Sequence, residues 1–135
     1  MPFEFGVVSE VTIYKPVLDN FLNNESGEVG QYFRVRANRI QVAAKRQVGK
    51  STRALEESIR TTHLRAANYQ EWTIGSDNRI ALLHHEGTRP HQIFARGSND
   101  MRFSQSGRMI YTRHVFHPGT KPNRYLSDNL YLAFL

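Results

Sequence analysis

A four-residue phrase, Gly-Thr followed by a basic residue and a proline, occurs twice in this chain. It stands at Gly87-Thr88-Arg89-Pro90 and again at Gly119-Thr120-Lys121-Pro122, each time after a segment that contains histidine. Glycine reaches backbone conformations that other residues resist, whereas proline fixes φ and disfavours helical geometry in the residue before it. Each copy therefore predicts a sharp corner, where one element stops and the next begins in a new direction. Two chain reversals that are alike by chance would explain the same pattern.

The residues that flank the two corners extend the likeness. The first copy stands in Glu86-Gly87-Thr88-Arg89-Pro90-His91, and the second stands in His117-Pro118-Gly119-Thr120-Lys121-Pro122-Asn123-Arg124-Tyr125-Leu126. With a basic hairpin between them, the chain resembles a family of small proteins from the head-to-tail joint of long-tailed bacteriophages, called neck, tail-completion or putative tail-component proteins. The resemblance runs from about residue 28 to the end of the chain. It departs from the family at Lys121, where arginine is commoner, and at Tyr125, where phenylalanine is commoner.

The resemblance implies a structural function and no enzymatic one. Such a protein would form a ring of six copies between the head connector and the tail tube, with DNA passing through the lumen. Its partners would be other connector and tail proteins, and its location would be the virion and, during assembly, the host cytoplasm. A tail terminator that caps the tail tube is the alternative within the family. The corner residues that carry the resemblance are Glu86, Gly87, Thr88, Arg89, Pro90, His117, Pro118, Gly119, Thr120, Lys121, Pro122 and Asn123.

Length and composition limit the other classes of protein. A chain of 135 residues usually forms one domain, so residues 1–135 are expected to fold together. No apolar run approaches the roughly 20 residues that span a bilayer, and residues 1–5 lack the regions of a signal peptide. The absence of cysteine excludes disulfides and thiolate metal sites. A formal charge of +6, from 18 basic and 12 acidic residues, favours polyanionic surroundings or an acidic partner.

Helical periodicity is clearest between residues 28 and 48. Apolar residues recur there on one stripe: Val29, Phe33, Ala37, Ile40, Ala44 and Val48. Gly49 ends this helix. Basic residues flank the stripe and are the expected DNA-facing or partner-facing positions, although charged flanks of amphipathic helices are usually only solvated. These residues are Arg34, Arg39, Lys45 and Arg46.

The stretch Gly49-Lys50-Ser51 imitates the end of a phosphate-binding loop. That motif requires a second glycine where this chain has Ala44, and it follows a strand, whereas a helix precedes it here. The match is therefore rejected. In the phage family a glycine occupies the position of Arg53, so the backbone at that residue is in question. Ser51 or Thr52 is expected to cap a short helix over residues 53–58.

The remaining elements are short helices and strands. Helices are predicted over residues 16–22, where a proline opens the first turn, and over residues 79–86, where Ile80, Leu83 and His84 face inward. Strands are predicted over residues 3–12, 59–64, 69–74, 91–95, 101–105 and 108–113. Together they predict an α+β fold, in which a mostly antiparallel sheet has the long helix across one face and a C-terminal helix closes it.

The last two strands predict a basic hairpin that protrudes as residues 94–113. Its turn lies at Ser106-Gly107, and Arg102 points away from the face that carries Met101 and Phe103, which leaves one side wet and basic. Asn123 is the predicted cap of the C-terminal helix. That helix is apolar nearly all round, so its own core or a neighbouring chain must cover it. The predicted subunit or partner contacts are Met101, Phe103, Met109, Tyr111, Tyr125, Leu130 and Phe134.

The histidines of the chain invite a catalytic or metal-binding interpretation: His63, His84, His85, His91, His114 and His117. A hydrolytic metal site needs imidazole and carboxylate ligands that converge. On a helix, however, His84 and His85 point about 100° apart. On a strand, His114 and His117 point to opposite faces. The sequence therefore predicts no catalytic residue, metal or cofactor, and a metal-dependent hydrolase stays a rival hypothesis.

A free-standing nucleic-acid-binding protein is a rival of another class. Arginine outnumbers lysine, and tyrosine and phenylalanine are interleaved with it between residues 96 and 124, which suits phosphate contact and base stacking. No zinc spacing, helix-turn-helix or ribonucleoprotein motif is present. Sequence-specific binding is therefore not expected, and contact with genomic DNA would be non-specific and sensitive to salt.

Overall fold

A computed structural model of the chain describes residues 12–49, 53–67, 69–97 and 99–135. Its helices are α1 Lys15–Asn23, α2 Glu28–Gln47, α3 Ala54–Ser58 and α4 Ala81–Glu86, and a C-terminal 3-10 helix spans Ser127–Phe134. Its strands are β1 Ile59–Arg65, β2 Gln70–Ser76, β3 His91–Phe94, β4 Met101–Gln105, β5 Arg108–Thr112 and β6 His114–His117. The α+β class is confirmed. The strand predicted over residues 3–12 falls outside the described residues, except for Thr12.

Antiparallel pairing joins the described strands into three two-stranded ladders: β1 with β2, β3 with β6, and β4 with β5. The long helix α2 lies across the β1–β2 ladder. The side-chain amide of Gln41 donates to the carbonyl oxygen of Ile59 at 3.2 Å, and the Thr61 hydroxyl donates to Gln41 Oε1 at 2.7 Å. A long helix packed across an antiparallel sheet is therefore confirmed, and the sheet under α2 is the β1–β2 ladder.

The core lies where the second half of α2 meets β1, α3 and the segment before the 3-10 helix. Ala44 and Val48 are 0% and 2% exposed and pack with Leu55, Ile59 and Tyr125. Burial of a large apolar side chain stabilises a fold by about 1.5–3 kcal/mol. In this half of α2 the predicted apolar stripe is confirmed, because the four-residue spacing keeps successive side chains on one helix face.

The first half of α2 differs from the prediction. Phe33 is 44% exposed although it belongs to the predicted stripe. The residue buried here is Gly30, where a Cβ would lie 2.1 Å from the carbonyl oxygen of Asn24. The chain that follows α1 approaches α2 so closely that only glycine fits, and this contact does not extend over the phenylalanine. Among the described residues, no helix is long and apolar enough to cross a membrane.

Arg53, the residue that precedes α3, adopts a left-handed backbone conformation with φ +58°. Residues with a Cβ lose roughly 1–2 kcal/mol in this region relative to the right-handed one, because the Cβ crowds the following carbonyl. Glycine would reach the same conformation without that cost. Arg53 therefore places a side chain on a backbone conformation that favours glycine.

Helix α4 is oriented only in part as predicted. Ile80 and Leu83, which were expected to face inward, are 50% and 53% exposed. His84, which was also expected to face inward, does face the core, and so does His85; their rings lie 5.9 and 5.4 Å from the ring of Tyr125. Because α4 has only six residues, its orientation follows from these few ring contacts and not from the apolar periodicity.

The predicted C-terminal helix is present, as a 3-10 helix that begins after Leu126. Asn123 does not cap it, so that prediction is wrong. Leu132 and Ala133 are half-buried towards α2, whereas Leu130 and Phe134 are 54% and 87% exposed. The described core therefore covers only one side of this apolar helix.

Residues 88–120 form a long antiparallel ribbon, called here the ribbon. Thr88 pairs with Thr120, His91 with His117 and Phe94 with His114, all in one continuous register. The inner register ends where the N–H of Ala95 donates to the carbonyl oxygen of Arg113, and the outer ladder, β4–β5, begins with the pair Met101 and Thr112, so the extra residues lie on one strand only. It turns at Ser106 and Gly107, both at positive φ, which is the geometry of a tight hairpin. Neither ladder packs extensively on another described element, and the predicted hairpin 94–113 lies within the ribbon.

Candidate interaction surfaces and the paired corners

The two Gly-Thr corners contact each other at the base of the ribbon. The backbone N–H of Thr88 donates to the carbonyl oxygen of Thr120 at 3.1 Å, and the N–H of Thr120 donates to the carbonyl oxygen of Thr88 at the same distance. The two hydroxyl groups lie 3.1 Å apart. The repeated phrase is thus one structure, called here the corner pair, made of Gly87, Thr88, Gly119 and Thr120.

Two independent features of the structure require glycine at both positions of the corner pair. Gly87 and Gly119 have φ values of +74° and +84°, which favour glycine. In addition, a Cβ on Gly87 would lie 2.5 Å from the carbonyl oxygen of Thr120, and one on Gly119 would lie 2.3 Å from that of Thr88. Within the one chain, Gly87 makes room for Thr120 and Gly119 makes room for Thr88, which explains why the Gly-Thr phrase occurs twice.

The prolines explain why the ladder is interrupted between the corner pair and β3–β6. In the shared register Pro90 stands opposite Pro118, between the Thr88–Thr120 and His91–His117 pairs. Proline has no backbone N–H, so neither residue can donate to a ladder.

Asn123 bonds the second corner to the described part of the chain outside the ribbon, called here the body. Its backbone N–H donates to the carbonyl oxygen of His84 at 3.1 Å, and its side-chain amide donates to the carbonyl oxygen of Gln47 at 3.1 Å. The last carbonyls of a helix have no partner within the helix, so the second bond satisfies one at the end of α2. In return the side-chain amide of Gln47 donates to Asn123 Oδ1 at 3.2 Å. This role was missed, because nothing local in the sequence brings residue 123 to the end of α2.

Tyr125 was predicted to contact a partner, and that prediction is wrong. It is 1% exposed and belongs to the core. Burial raises the pKa of its phenol above the ordinary value, because removal from water disfavours the charged form. The residue anchors the segment after the second corner beneath α4.

The histidines near the corners make local structural contacts. His84 Nε2 lies 3.1 Å from the side-chain nitrogen of Asn123, and His85 Nε2 lies 3.2 Å from the Ser127 hydroxyl. The rings of His91 and His117 lie 5.1 Å apart. Among the described residues, no three histidine or acidic side chains come together in a way that could hold a metal ion.

The exposed face of α2 carries an open groove of about 500 Å³, called here the α2 groove. Val35 and Val42, 47% and 48% exposed, lie on its floor. Its remaining lining residues are Asn38, Arg39, Ala43, Arg46 and Leu132. Two of the four basic residues predicted to face DNA or a partner thus lie beside the groove. The other two, Arg34 and Lys45, are not in its lining.

The ribbon exposes apolar side chains on both of its ladders. In the outer ladder Met101 and Phe103 are half-buried, whereas Met109 and Tyr111 are 52% and 63% exposed. Arg102 stands opposite Tyr111. The face that was expected to be solvent-exposed and basic therefore also carries the side chains of Met109 and Tyr111. In the inner ladder, Phe94 and Phe116 occupy one face and are each 64% exposed. Neither phenylalanine was among the predicted contacts, although strand alternation places both on one face.

Positive charge is concentrated in two places. The ribbon has five arginines and one acidic residue, Asp100, which give it a formal charge of +4: Arg89, Arg96, Arg102, Arg108 and Arg113. Helix α2 also reaches +4, because five basic residues oppose Glu28. Arg113 lies 3.9 Å from Asp100 and donates to the carbonyl oxygen of Gly97 at 3.2 Å. In the part of the chain that the structure describes, the other four ribbon arginines form no ion pair.

Comparison of the chain with protein-family models, with curated proteins and with solved structures found no match. The arrangement itself offers two kinds of surface. The α2 groove and the 3-10 helix are apolar, which suits contact with protein, and the ribbon is basic along its length, which suits contact with a polyanion.

Proposed function

We propose that this chain is a structural protein of the head-to-tail joint of a long-tailed bacteriophage. It assembles as a ring between the head connector and the tail tube, and packaged DNA passes through the lumen. The corner pair is the observation that carries the proposal. The residues on which the family resemblance rests meet in space at the base of the ribbon, so the resemblance concerns a structural unit and not two scattered phrases.

Uncovered apolar surfaces support an assembled state. The α2 groove, the Phe94–Phe116 face of the ribbon and the outer side of the 3-10 helix all expose large side chains. Monomeric soluble proteins rarely leave such surfaces open to water. In a ring, each copy offers one patch to a different patch of the next copy, and rotation closes the contacts.

Charge distinguishes the surfaces that copies can share. The ribbon and α2 both carry a formal charge of +4, so a contact of one copy's ribbon with the next copy's α2 groove sets like charges together, which is costly. The 3-10 helix carries only one charged residue, Asp128. It is therefore the better candidate for contact between copies, and the α2 groove is the better candidate for another joint protein.

The position of the chain in the intact particle tests the proposal. An electron-microscopy reconstruction of the tailed particle should show a ring of this chain, with six copies expected, between the head connector and the tail tube. A ring that instead caps the tube would assign the chain as the tail terminator, the alternative within the family. Absence of the chain from the particle would overturn both assignments.

The concentration of charge favours a second candidate, a free-standing nucleic-acid-binding protein. That protein would bind DNA in a salt-sensitive way and act as a monomer. The particle separates the two candidates, because no particle would contain a free-standing protein. The metal-dependent hydrolase is tested separately by metal analysis of protein purified without chelators. Stoichiometric zinc or manganese would support that third function, and a metal content near zero would remove it.

A further inference from the structure

The ribbon carries a formal charge of +4, mostly on arginines that form no ion pair among the described residues. Five arginines accompany one aspartate, and the described part of the chain offers Arg89, Arg96, Arg102 and Arg108 no ion-pair partner. An isolated two-stranded hairpin is at best marginally stable in water, and repulsion among its arginines weakens it further. A polyanion along the ribbon would relieve that repulsion.

The dimensions of the ribbon fit double-stranded DNA. From the Thr88–Thr120 bridge to the hairpin turn there are about 12 residues along the second strand, which at roughly 3.3 Å each gives an upper limit of about 40 Å, because a bend at Arg113 separates the two ladders. One turn of a DNA duplex is about 34–36 Å long. The major groove is about 12 Å wide and admits a two-stranded β-ribbon.

The positions of the arginines suit a groove with phosphates on both walls. Arg89 lies near the base, Arg96 lies in the inserted loop, and Arg102 and Arg108 lie in the outer ladder. By strand register Arg102 shares a face with Tyr111, whereas Arg108 stands opposite Gln105 on the other face. Guanidinium groups on both faces of the ribbon can contact the phosphates of both strands of a DNA duplex, whereas a single-stranded nucleic acid would contact only one face of the ribbon.

The other basic surface is of a different kind. On α2, Arg39 and Arg46 line a groove together with Val35 and Val42, and hydrophobic grooves of this kind bind amphipathic protein segments. Arginine beside valine on a helix therefore indicates a protein partner. The ribbon instead carries arginines on both faces of a two-stranded element, so the two basic regions are assigned to different partners.

We propose that the ribbon is a binding site for the sugar-phosphate backbone of duplex DNA, held by Arg89, Arg96, Arg102 and Arg108 without selection of base sequence. This inference deepens the proposed function by naming the surface that would meet the DNA. It rests on that function only for the biological setting, because binding is measured on the isolated chain whereas the joint assignment is measured in the particle.

The test uses fluorescence anisotropy with a labelled duplex of about 30 base pairs in about 50 to 200 mM salt. The ribbon variant is Arg102→Gln with Arg108→Gln, and its charge-matched control is Arg39→Gln with Arg46→Gln on α2. Each phosphate contact contributes about one unit to the slope of log affinity against log salt. The ribbon variant should lose close to two units of slope and about tenfold or more in affinity at low salt. The α2 control should retain both.

Four outcomes overturn the proposal. They are absence of duplex binding by the unaltered chain at low salt, loss of binding in the α2 control with retention in the ribbon variant, and tighter binding to a single strand of equal length. The fourth is equal competition by polyglutamate, which would identify the ribbon as a surface for acidic protein. Thermal unfolding by circular dichroism checks that both variants are folded. If the ribbon variant is unstable, Arg89→Gln with Arg96→Gln, outside the outer ladder, gives the same readout.

Discussion

The body of this protein and its ribbon are ordered by different interactions. In the body, α2, α3, β1 and Tyr125 bury apolar side chains against one another, and four of these are under 3% exposed: Ala44, Val48, Ile59 and Tyr125. The ribbon has no buried side chain among its described residues. It depends on backbone pairing and on the corner pair at its base. Side-chain burial can stabilise a fold without a partner, whereas an exposed ribbon gains most from one.

The single tryptophan makes this comparison measurable. Trp72 lies in β2, within the body, so its fluorescence follows the unfolding of the body. Amide hydrogen exchange at Thr88 and Thr120 follows opening at the base of the ribbon, since both N–H groups are bonded there. The two readouts separate damage to one region from damage to the other.

The largest effect is expected from Tyr125→Ala. Removing a fully buried aromatic side chain should lower the free energy of unfolding by about 3–5 kcal/mol, measured by urea unfolding with Trp72 fluorescence. The matched control is Tyr131→Ala, because Tyr131 is 59% exposed, and its effect should stay within about 0.5 kcal/mol. Equal losses in the two variants would show that Tyr125 is not the centre of the body's core.

Gly119→Ala should come next and should act on the ribbon. The control is Gly97→Ala, because Gly97 also has a positive φ, +79°, but a Cβ there meets nothing within 4 Å. Both variants carry the roughly 1–2 kcal/mol cost of a left-handed residue with a Cβ. Only the first also collides with the Thr88 carbonyl. Exchange at Thr88 and Thr120 should therefore quicken by about tenfold more in Gly119→Ala, with little change in Trp72 fluorescence.

The same loss of protection in both glycine variants would contradict this account. It would mean that the corner pair contributes no more to the ribbon than any left-handed position does, and that the close approach of the two corners is incidental.

Arg53→Gly is expected to stabilise the body. Relief of the left-handed strain before α3 should raise the free energy of unfolding by up to about 1 kcal/mol. Glu57→Gly is the control, because Glu57 is exposed within α3, where glycine should cost about 0.5–1 kcal/mol. A fall in stability for Arg53→Gly, measured with the same fluorescence readout, would mean that the arginine side chain contributes more than its backbone strain costs.

The smallest effect concerns alkaline pH. Burial raises the folded-state pKa of Tyr125 above the ordinary value of 10.0. The stabilisation from its neutral phenol is therefore fully present below pH 10 and is lost as the pH rises through the folded-state pKa. Above pH 10 the melting temperature of the unaltered chain should fall more steeply than that of Tyr125→Phe. Tyr131→Phe should keep the steeper fall, and identical pH profiles for all three proteins would refute the assignment.

Local patterns in the sequence were sufficient to predict most of the described helices and strands. The four-residue spacing of Ile40, Ala44 and Val48 predicted the buried side of α2, and Ser106-Gly107 predicted the hairpin turn, because both depend on neighbours along the chain. The same reasoning failed at Phe33 and at Ile80, where no described element covers the side chain. Periodicity indicates which side of a helix is apolar, and it does not show what lies against that side.

The candidate surfaces were predicted less completely. Tyr125 was grouped with the partner contacts, yet it is buried, and Asn123 was expected to cap a helix, yet it bonds to the end of α2. Both errors come from treating the C-terminal segment as a separate amphipathic helix. Contacts between residue 123 and residue 47 connect distant parts of the chain, and no local spacing encodes them.

The sequence by itself determined most of the described helices and strands, the glycine and proline of each corner, and the excess of arginine. Only the tertiary structure decided that the two corners meet, that Tyr125 lies inside, and that the arginines divide between a ribbon and an apolar groove. The physical reason is that backbone conformation depends on adjacent residues, whereas burial and pairing depend on which distant segments come into contact. Gly119 shows both kinds of dependence. Its own positive φ favours glycine, and the carbonyl oxygen of Thr88, from a distant segment, leaves no room for a Cβ.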